Sequence, residues 1–390
     1  MFASTVRRPL LALPAAAALS LAVLPLAAAG PAQASTVPGW HVQTLLSTGA
    51  GSQGILLDVS ADAPGDAWAA GVVIPSGNSG LAPLITRWNG TAWSQVALPA
   101  SVLTRLGPAG LIGAVSAASP RNVWAFSESS VWLHFDGTTW TSGQLAKPGP
   151  SGQVITTATL ALSKSDVWAF GARSRSKGMH AYASHFNGVK WTATPVPGTS
   201  PIVSSSAVRA GDIWAVEGIG PLNPVSGRGA LVHWSGGAWH SVNLPKALGG
   251  RPLSSVVARS DSDVWVGGAV PNRKRGTTEA VGHWNGRTWT VTALPAVTTS
   301  RKYAVTGLAS DGHGGLWATA NCERCSGNVP SRIWHESARV WKRAAVAAKN
   351  PVAIVSLALA PHRTSVWGVG AVAIGKTASA LIALDGNPPI

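Results

Sequence analysis

Tyrosine is almost missing from this chain: only Tyr182 and Tyr303 occur in 390 residues. A copper-radical centre needs tyrosine ligands, so oxidase chemistry of that kind is not expected. Acids are scarce too, with 15 Asp and Glu against 30 Lys and Arg. Catalysis by paired carboxylates needs acids to spare, and no pairing is visible. No G-x-S-x-G elbow and no phosphate-cradling glycine loop appears. Cysteine occurs twice, as C-E-R-C from Cys322 to Cys325. A metal site would need two further ligands nearby. A thioredoxin-like redox motif would want a strand-to-helix setting. The expectation is a small disulfide between Cys322 and Cys325, pinning one loop of an exported chain. No metal and no cofactor is expected.

Long apolar runs are missing as well, except at the very start. Arg7 and Arg8 precede an Ala/Leu-rich stretch that ends in P-A-Q-A-S. A charged n-region, an apolar h-region and a small-residue cleavage site read as a secretory signal peptide over residues 1–34, cut before Ser35. The rival is an uncleaved anchor, but Pro14 and Pro25 break the run and A-Q-A follows at once. The paired arginines hint at twin-arginine export. No later segment has the length and apolarity of a spanning helix. The reading is a secreted, extracellular protein, monomeric and without an integral span after cleavage. It has one folded domain over residues 35–390.

What the chain has in abundance is tryptophan, 19 in all, set among glycine and proline. Such a composition fits many short strands joined by turns, not helices. A D-x-W fragment recurs as DAWAAG, NVWAF, DVWAFG, DIWAVEG and DVWVGG, with weaker copies GLWAT and SVWGVG. Its tryptophans are Trp68, Trp124, Trp168, Trp214, Trp265, Trp317 and Trp367. They stand about 50 residues apart, a period that marks a β-propeller. A second fragment follows each of the first five copies: RWNGTAW, HFDGTTW, HFNGVKW, HWSGGAW and HWNGRTW. Asn-Gly and Asp-Gly between apolar runs read as type I′ hairpins, which need φ > 0 at both central residues. Copy six, IWHESARVW, reads as having a longer turn. Each unit is therefore a four-stranded antiparallel blade.

Copy seven stops at L-D-G-N-P-P-I without its last strand. The missing strand lies at the other end of the chain, in PGWHVQTLL over residues 38–46. A seven-bladed, all-β propeller closed by that N-terminal strand follows, with Trp40 as its tryptophan. Closure removes exposed sheet edges.

Every tryptophan but Trp132 falls on a repeat position, so the tryptophans are framework, packed between blades. Asp66, Asp166, Asp212 and Asp263 are expected to cap the turn before strand two through side-chain to backbone bonds. His134, His185, His233 and His283 share one strand position and are expected to bond between strands; ring symmetry holds them too far apart for a metal.

These units resemble the tryptophan-rich β-propeller repeats of proteins secreted by actinobacteria. They are more distantly similar to kelch and two-component-regulator propellers, and DGHGGLWAT resembles the latter. The resemblance covers the whole chain after the leader. It implies fold and leaves activity open, because propellers host lectins, lyases, oxidases, sialidases and scaffolds.

Function must come from the loops. Strand 2–3 loops and blade-linking loops share one face and usually build the binding surface. The former carry Arg173, Arg175, Lys177, Arg228, Arg273, Lys274, Arg275, Arg324, Arg332 and Lys376. The latter carry Arg105, Lys147, Lys246, Arg251, Arg301, Lys302 and Lys349. The acids there are Glu128, Glu217, Glu279 and Glu323. A one-sided basic face is the footprint of an anionic partner. The expected partner is an anionic cell-wall polymer or polysaccharide, or a protein. Nucleic acid is a weaker choice, because aromatic residues do not interleave the cations. The competing reading is an extracellular lyase or hydrolase at the mouth of the central channel, using His180 or His313 with a glutamate. The sialidase Asp box is not met, since S-D-G-H-G-G-L-W sets Asp311 one place early.

Overall fold

The computed structural model describes residues 39–385, except 78–79, 109, 147–152, 176–177, 219–228, 273–275, 296, 298–300, 323–324, 326–328, 362–364 and 376. The proposed leader, residues 1–34, lies outside the described residues. Seven antiparallel sheets form a ring. Blade one starts at Gln53–Ala63 and blade seven at Val352–Leu359. In every blade the second strand carries the D-x-W tryptophan, as in Asp66–Ile74 and Asp263–Asn272. The N-terminal strand Trp40–Leu46 pairs antiparallel with Thr377–Asp385, Trp40 opposite Asp385, and so supplies the fourth strand of blade seven. A short fifth strand, Val346–Ala347, runs parallel to it at the outer edge.

One packing rule holds the blades together. The strand-two tryptophan of a blade meets the strand-four tryptophan of the next, edge to face. The pairs are Trp68–Trp140, Trp124–Trp191, Trp168–Trp239, Trp265–Trp341, Trp317–Trp40 and Trp367–Trp93, with ring centroids 5.0–6.4 Å apart and planes at 72–90°. Trp214 and Trp289 share the core between blades four and five. Edge-to-face contact suits the ring quadrupoles and adds about 1 kcal/mol per pair beyond area burial. Trp40 takes its place in this series and is fully buried. Trp132, outside the repeat, leans on Trp124 at 5.6 Å.

The innermost strands are rich in serine and threonine for a related reason. Each is a sheet edge at the channel, with backbone N–H groups that need partners where blades crowd. Hydroxyls of the preceding blade provide them. Ser60 accepts from the N–H of Ala117, Ser116 from Ala161, Ser204 from Val256, Ser206 from Ala258 and Ser255 from Leu308, all at 2.9–3.1 Å.

Three expectations need correction. The blade one to two linker contains a helix, Ala100–Leu106. It forms because Val102 and Leu106, four residues apart on one face, bury against Val131, Leu133 and Trp140 of blade two. The Asn-Gly and Asp-Gly hairpins are not type I′. Only the glycine has positive φ, as at Gly90 (95°) and Gly137 (100°), in four-residue loops such as the one between Trp88 and Trp93. The preceding Asn or Asp caps the turn: Asn89 Oδ1 accepts the N–H groups of Thr91 and Ala92. The turn with two left-handed central residues occurs instead at Gly236–Gly237 and at Ala338–Arg339. Copy six therefore has a shorter turn than the Asn-Gly copies, with Ser337 directly opposite Val340.

Candidate functional site

The hairpin face, where strands one and two meet, is framework. Asp166 accepts from Trp168 Nε1 at 2.9 Å and contacts His185 Nε2 at 2.9 Å. The His185 ring stacks on Trp168 at 4.4 Å. Asp263, Trp265 and His283 repeat this arrangement. Asp212 holds His233, and Asp311 holds His335. Asp66, Asp166, Asp212 and Asp263 thus bond side chains rather than capping turns: an indole N–H reaches Asp66, Asp166 and Asp263, and a third-strand Arg or His reaches each of the four. The histidines bond between strands as expected. Blade two substitutes Asn122 for the acid, and burial holds the pKa of its partner His134 below the usual value. Blade one substitutes Arg87 for the histidine. It donates to Asp66 and lies 4.8 Å above Trp68. Burial first, and Asp66 next, push the carboxyl of nearby Asp62 up to about 7. The sequence pattern did not single out Asp62 or Arg87. Their departure from the repeat at those two positions was the available signal.

The central channel holds a cavity of about 390 Å³, lined by the inner strands of all seven blades. Hydroxyl and aliphatic side chains form its wall, and Asp58 is the one charged residue among the described lining residues. Burial pushes Asp58 up to about 6, against hydrogen bonds from the Val115 N–H, the Ser356 hydroxyl and the Val59 N–H. Among the described lining residues, no second acid or base stands beside it. His180 sits at the loop end of its blade, opposite Arg173. His313 is in the strand 1–2 turn of blade six, on the opposite face. These two histidines cannot serve one site.

On the loop face, the linkers lie against the strand 2–3 ends. The Gly250 N–H donates to the Gly229 carbonyl, Leu294 to Glu279, Ala373 to Pro351 and Gly218 to Pro201, at 2.9–3.2 Å. Here the acids are drawn inward. Glu279 is buried and paired with Arg332, whose guanidinium stacks 3.6 Å from the Tyr303 ring. Arg332 is therefore a blade-to-blade weld and not a loop cation. Glu217 is 2% exposed, beneath the Thr199 and Ser200 N–H groups that bond it. Burial pushes its carboxyl up to about 7 against those bonds. Glu128 is half-buried, and burial raises it too. By contrast, Arg105, Lys246, Arg251, Arg301, Lys302 and Lys349 of the linkers are exposed.

Arg173 and Arg175 lie within the strand Asp166–Arg175, not in a loop, because pairing continues to Arg175 opposite Gly178. Arg173 is half-buried, and its charge tempers the burial-raised pKa of Tyr182. Lys177, Arg228, Arg273, Lys274, Arg275, Arg324 and Lys376 lie outside the described residues, as do Lys147 and Glu323. Cys322 and Cys325 are joined in a disulfide beside the end of the second strand of blade six. Among the described residues, no cluster of three or more His, Cys, Asp or Glu could hold a metal, and no helix is long and apolar enough to cross a membrane.

No family model and no curated protein matches this chain. Solved structures do. The chain is similar to YCF48 bound to D1 peptide, at 15% identity and a TM-score of 0.56, over 90% of this chain and all of that one. It is similar to the WD40 propeller domain of Doa1, at 9% identity and 0.55, over 90% of this chain and 98% of that one. The extracellular domain of the hybrid two-component system BT4673 from B. thetaiotaomicron matches at 14% identity and 0.55, over 90% of this chain and 40% of that one. Identities this low carry the propeller fold and nothing finer.

Proposed function

We propose that this propeller is a secreted binding and scaffold module, akin to the tryptophan-rich repeat proteins of actinobacteria, whose loop face docks an anionic partner at the cell surface. The observation that supports it is the opposite fate of the two charge signs on one face. Glu217 and Glu279 are buried and Glu128 half-buried, while six linker cations stay exposed. The Glu279–Arg332 pair withdraws one charge of each sign, and burial weakens the acidity of Glu217 and Glu128, so the exposed cations dominate the field of that face and steer anions toward it. Lys177, Arg228, Arg273, Lys274, Arg275, Arg324 and Lys376 add to the same face if their loops follow the blade pattern. The partner is an anionic wall polymer or polysaccharide, or an acidic protein; YCF48, on the same fold, carries a bound peptide.

The test is co-sedimentation of residues 35–390 with insoluble bacterial wall, before and after stripping its anionic polymers, across salt. A polyanion binder releases counterions and weakens steeply as salt rises. Binding that is lost with stripping and with salt supports a wall polymer. Binding indifferent to both contradicts an anionic partner.

A further inference from the structure

The described cations are not spread evenly around the ring. The linker between blades four and five carries Lys246 and Arg251, the next carries Arg301 and Lys302, and the next Lys349. These three linkers are consecutive. The linker from blade three to four, residues 195–201, has no Lys or Arg, and neither has that from blade seven to one, residues 47–52. One sector of the face, over blades five and six, therefore holds most of the exposed linker charge.

The exposed apolar residues add a second observation. Five large hydrophobic side chains are exposed among the described residues: Leu45, Leu103, Val189, Val340 and Ile374. Val189 and Val340 belong to hairpin turns of the opposite face, and Leu103 lies on the linker helix Ala100–Leu106 between blades one and two, outside the sector. Ile374 and Leu45 lie in blade seven at its loop-face end, 39% and 44% exposed. Ile374 adjoins the basic sector, since the N–H of its neighbour Ala373 bonds to the carbonyl of Pro351, two residues beyond Lys349, and Leu45 lies on the strand that pairs at its start with Val346–Ala347, just before Lys349.

Resting on the loop-face reading above, we infer that the partner is a polypeptide segment bearing both acidic and apolar side chains, laid across the rims of blades five to seven. A phosphate or uronate polymer would satisfy the cations but offers no apolar group to the exposed side chains of Ile374 and Leu45. A segment with both residue types pairs its carboxylates with the linker cations and covers the two aliphatic groups. Interfaces draw anchoring energy from such apolar contacts, while the charges set register and association rate.

The test uses residues 35–390 and two labelled probes, a short synthetic Glu/Leu peptide and inorganic polyphosphate, at low salt. Four reversals, Lys246→Glu, Arg251→Glu, Lys302→Glu and Lys349→Glu, are combined in one variant. Arg105→Glu is the control outside the sector. Ile374→Ser removes one apolar contact, with Leu45→Ser as its substitute if it melts early. The expected result is peptide binding that falls about tenfold or more in the sector variant, within the range seen for interface charges. It should hold in Arg105→Glu, and Ile374→Ser should weaken the peptide but not polyphosphate. If polyphosphate binds as well as the peptide and Ile374→Ser changes nothing, the polypeptide inference falls while the anionic loop face stands. If neither probe binds, both fall.

Discussion

The hydroxyl of Ser356 donates a 2.9 Å hydrogen bond to Asp58 Oδ1, joining blade seven to blade one across 298 residues of sequence. The other oxygen of Asp58 accepts the N–H of Val115 in blade two at 2.9 Å. One carboxylate thus ties three blades at the channel, beside the seam where the ring closes.

Replacing Asp58 tests that tie. Asp58→Ala should cost about 2 kcal/mol in urea melts at pH 4, on the order of 1 kcal/mol for each neutral hydrogen bond lost, and less at neutral pH. The pH dependence has a definite sign. The native Asp58 keeps its proton to about pH 6, whereas its ordinary value is 3.8. Its contribution to stability is complete below about pH 4 and is lost as pH rises through 6. Asp58→Asn should remove that loss, so its stability relative to the parent should improve from pH 4 to 7. A constant difference across that range would contradict the assignment.

The closing strand has a sharper test than deletion. Removing residues 38–46 should lower the melting temperature strongly, and Trp40→Ala alone should cost about 3–5 kcal/mol as a fully buried large side chain. A Cβ placed on Gly368 would come 2.5 Å from the Trp40 ring. Gly368→Ala should therefore destabilise the parent and be partly relieved in the Trp40→Ala background. Additive effects in a double-mutant cycle would contradict the contact.

The Glu279–Arg332 pair joins blades five and six inside the fold. Glu279→Gln leaves a buried guanidinium uncompensated and should cost about 3–5 kcal/mol. Replacing both partners with leucine and methionine should recover most of that loss. Melts of the three variants decide it.

In blade two, Asn122→Asp should raise the His134 pKa, because a carboxylate favours the imidazolium that burial now disfavours. An NMR titration of the ring protons reads it directly. An unchanged or lower value would contradict the bond between the two residues.

The ring was legible in the sequence because its determinants are local and repeated: a tryptophan after each strand 1–2 turn, an Asn-Gly loop, a stray strand at the start. Trp40 could be assigned from W-x-x-x-x-L over residues 40–45 and from the strand missing in copy seven. What escaped depends on neighbours distant in sequence. Asp166 looks like a turn cap until His185, brought by strand three, meets its carboxylate. Arg332 looks like a loop cation until Glu279 of the adjacent blade takes it inside. The helix Ala100–Leu106 exists only because blade two offers a surface for Val102 and Leu106. Hydrophobic periodicity over so few residues carries little signal. The charge asymmetry was visible as a count, but the burial of Glu217 and Glu279 that sharpens it was not.

A basic loop face is tested most directly by comparing the two faces of the ring. One variant reverses Lys246, Arg251, Lys302 and Lys349 on the loop face; the other reverses Arg121, Lys164, Lys190 and Arg287 on the hairpin face. Both carry the same net charge. Binding of each to a polyglutamate matrix is followed across salt. The loop-face variant should lose retention at low salt while the hairpin-face variant keeps most of it. Equal loss in both would mean that net charge, and not a face, governs binding.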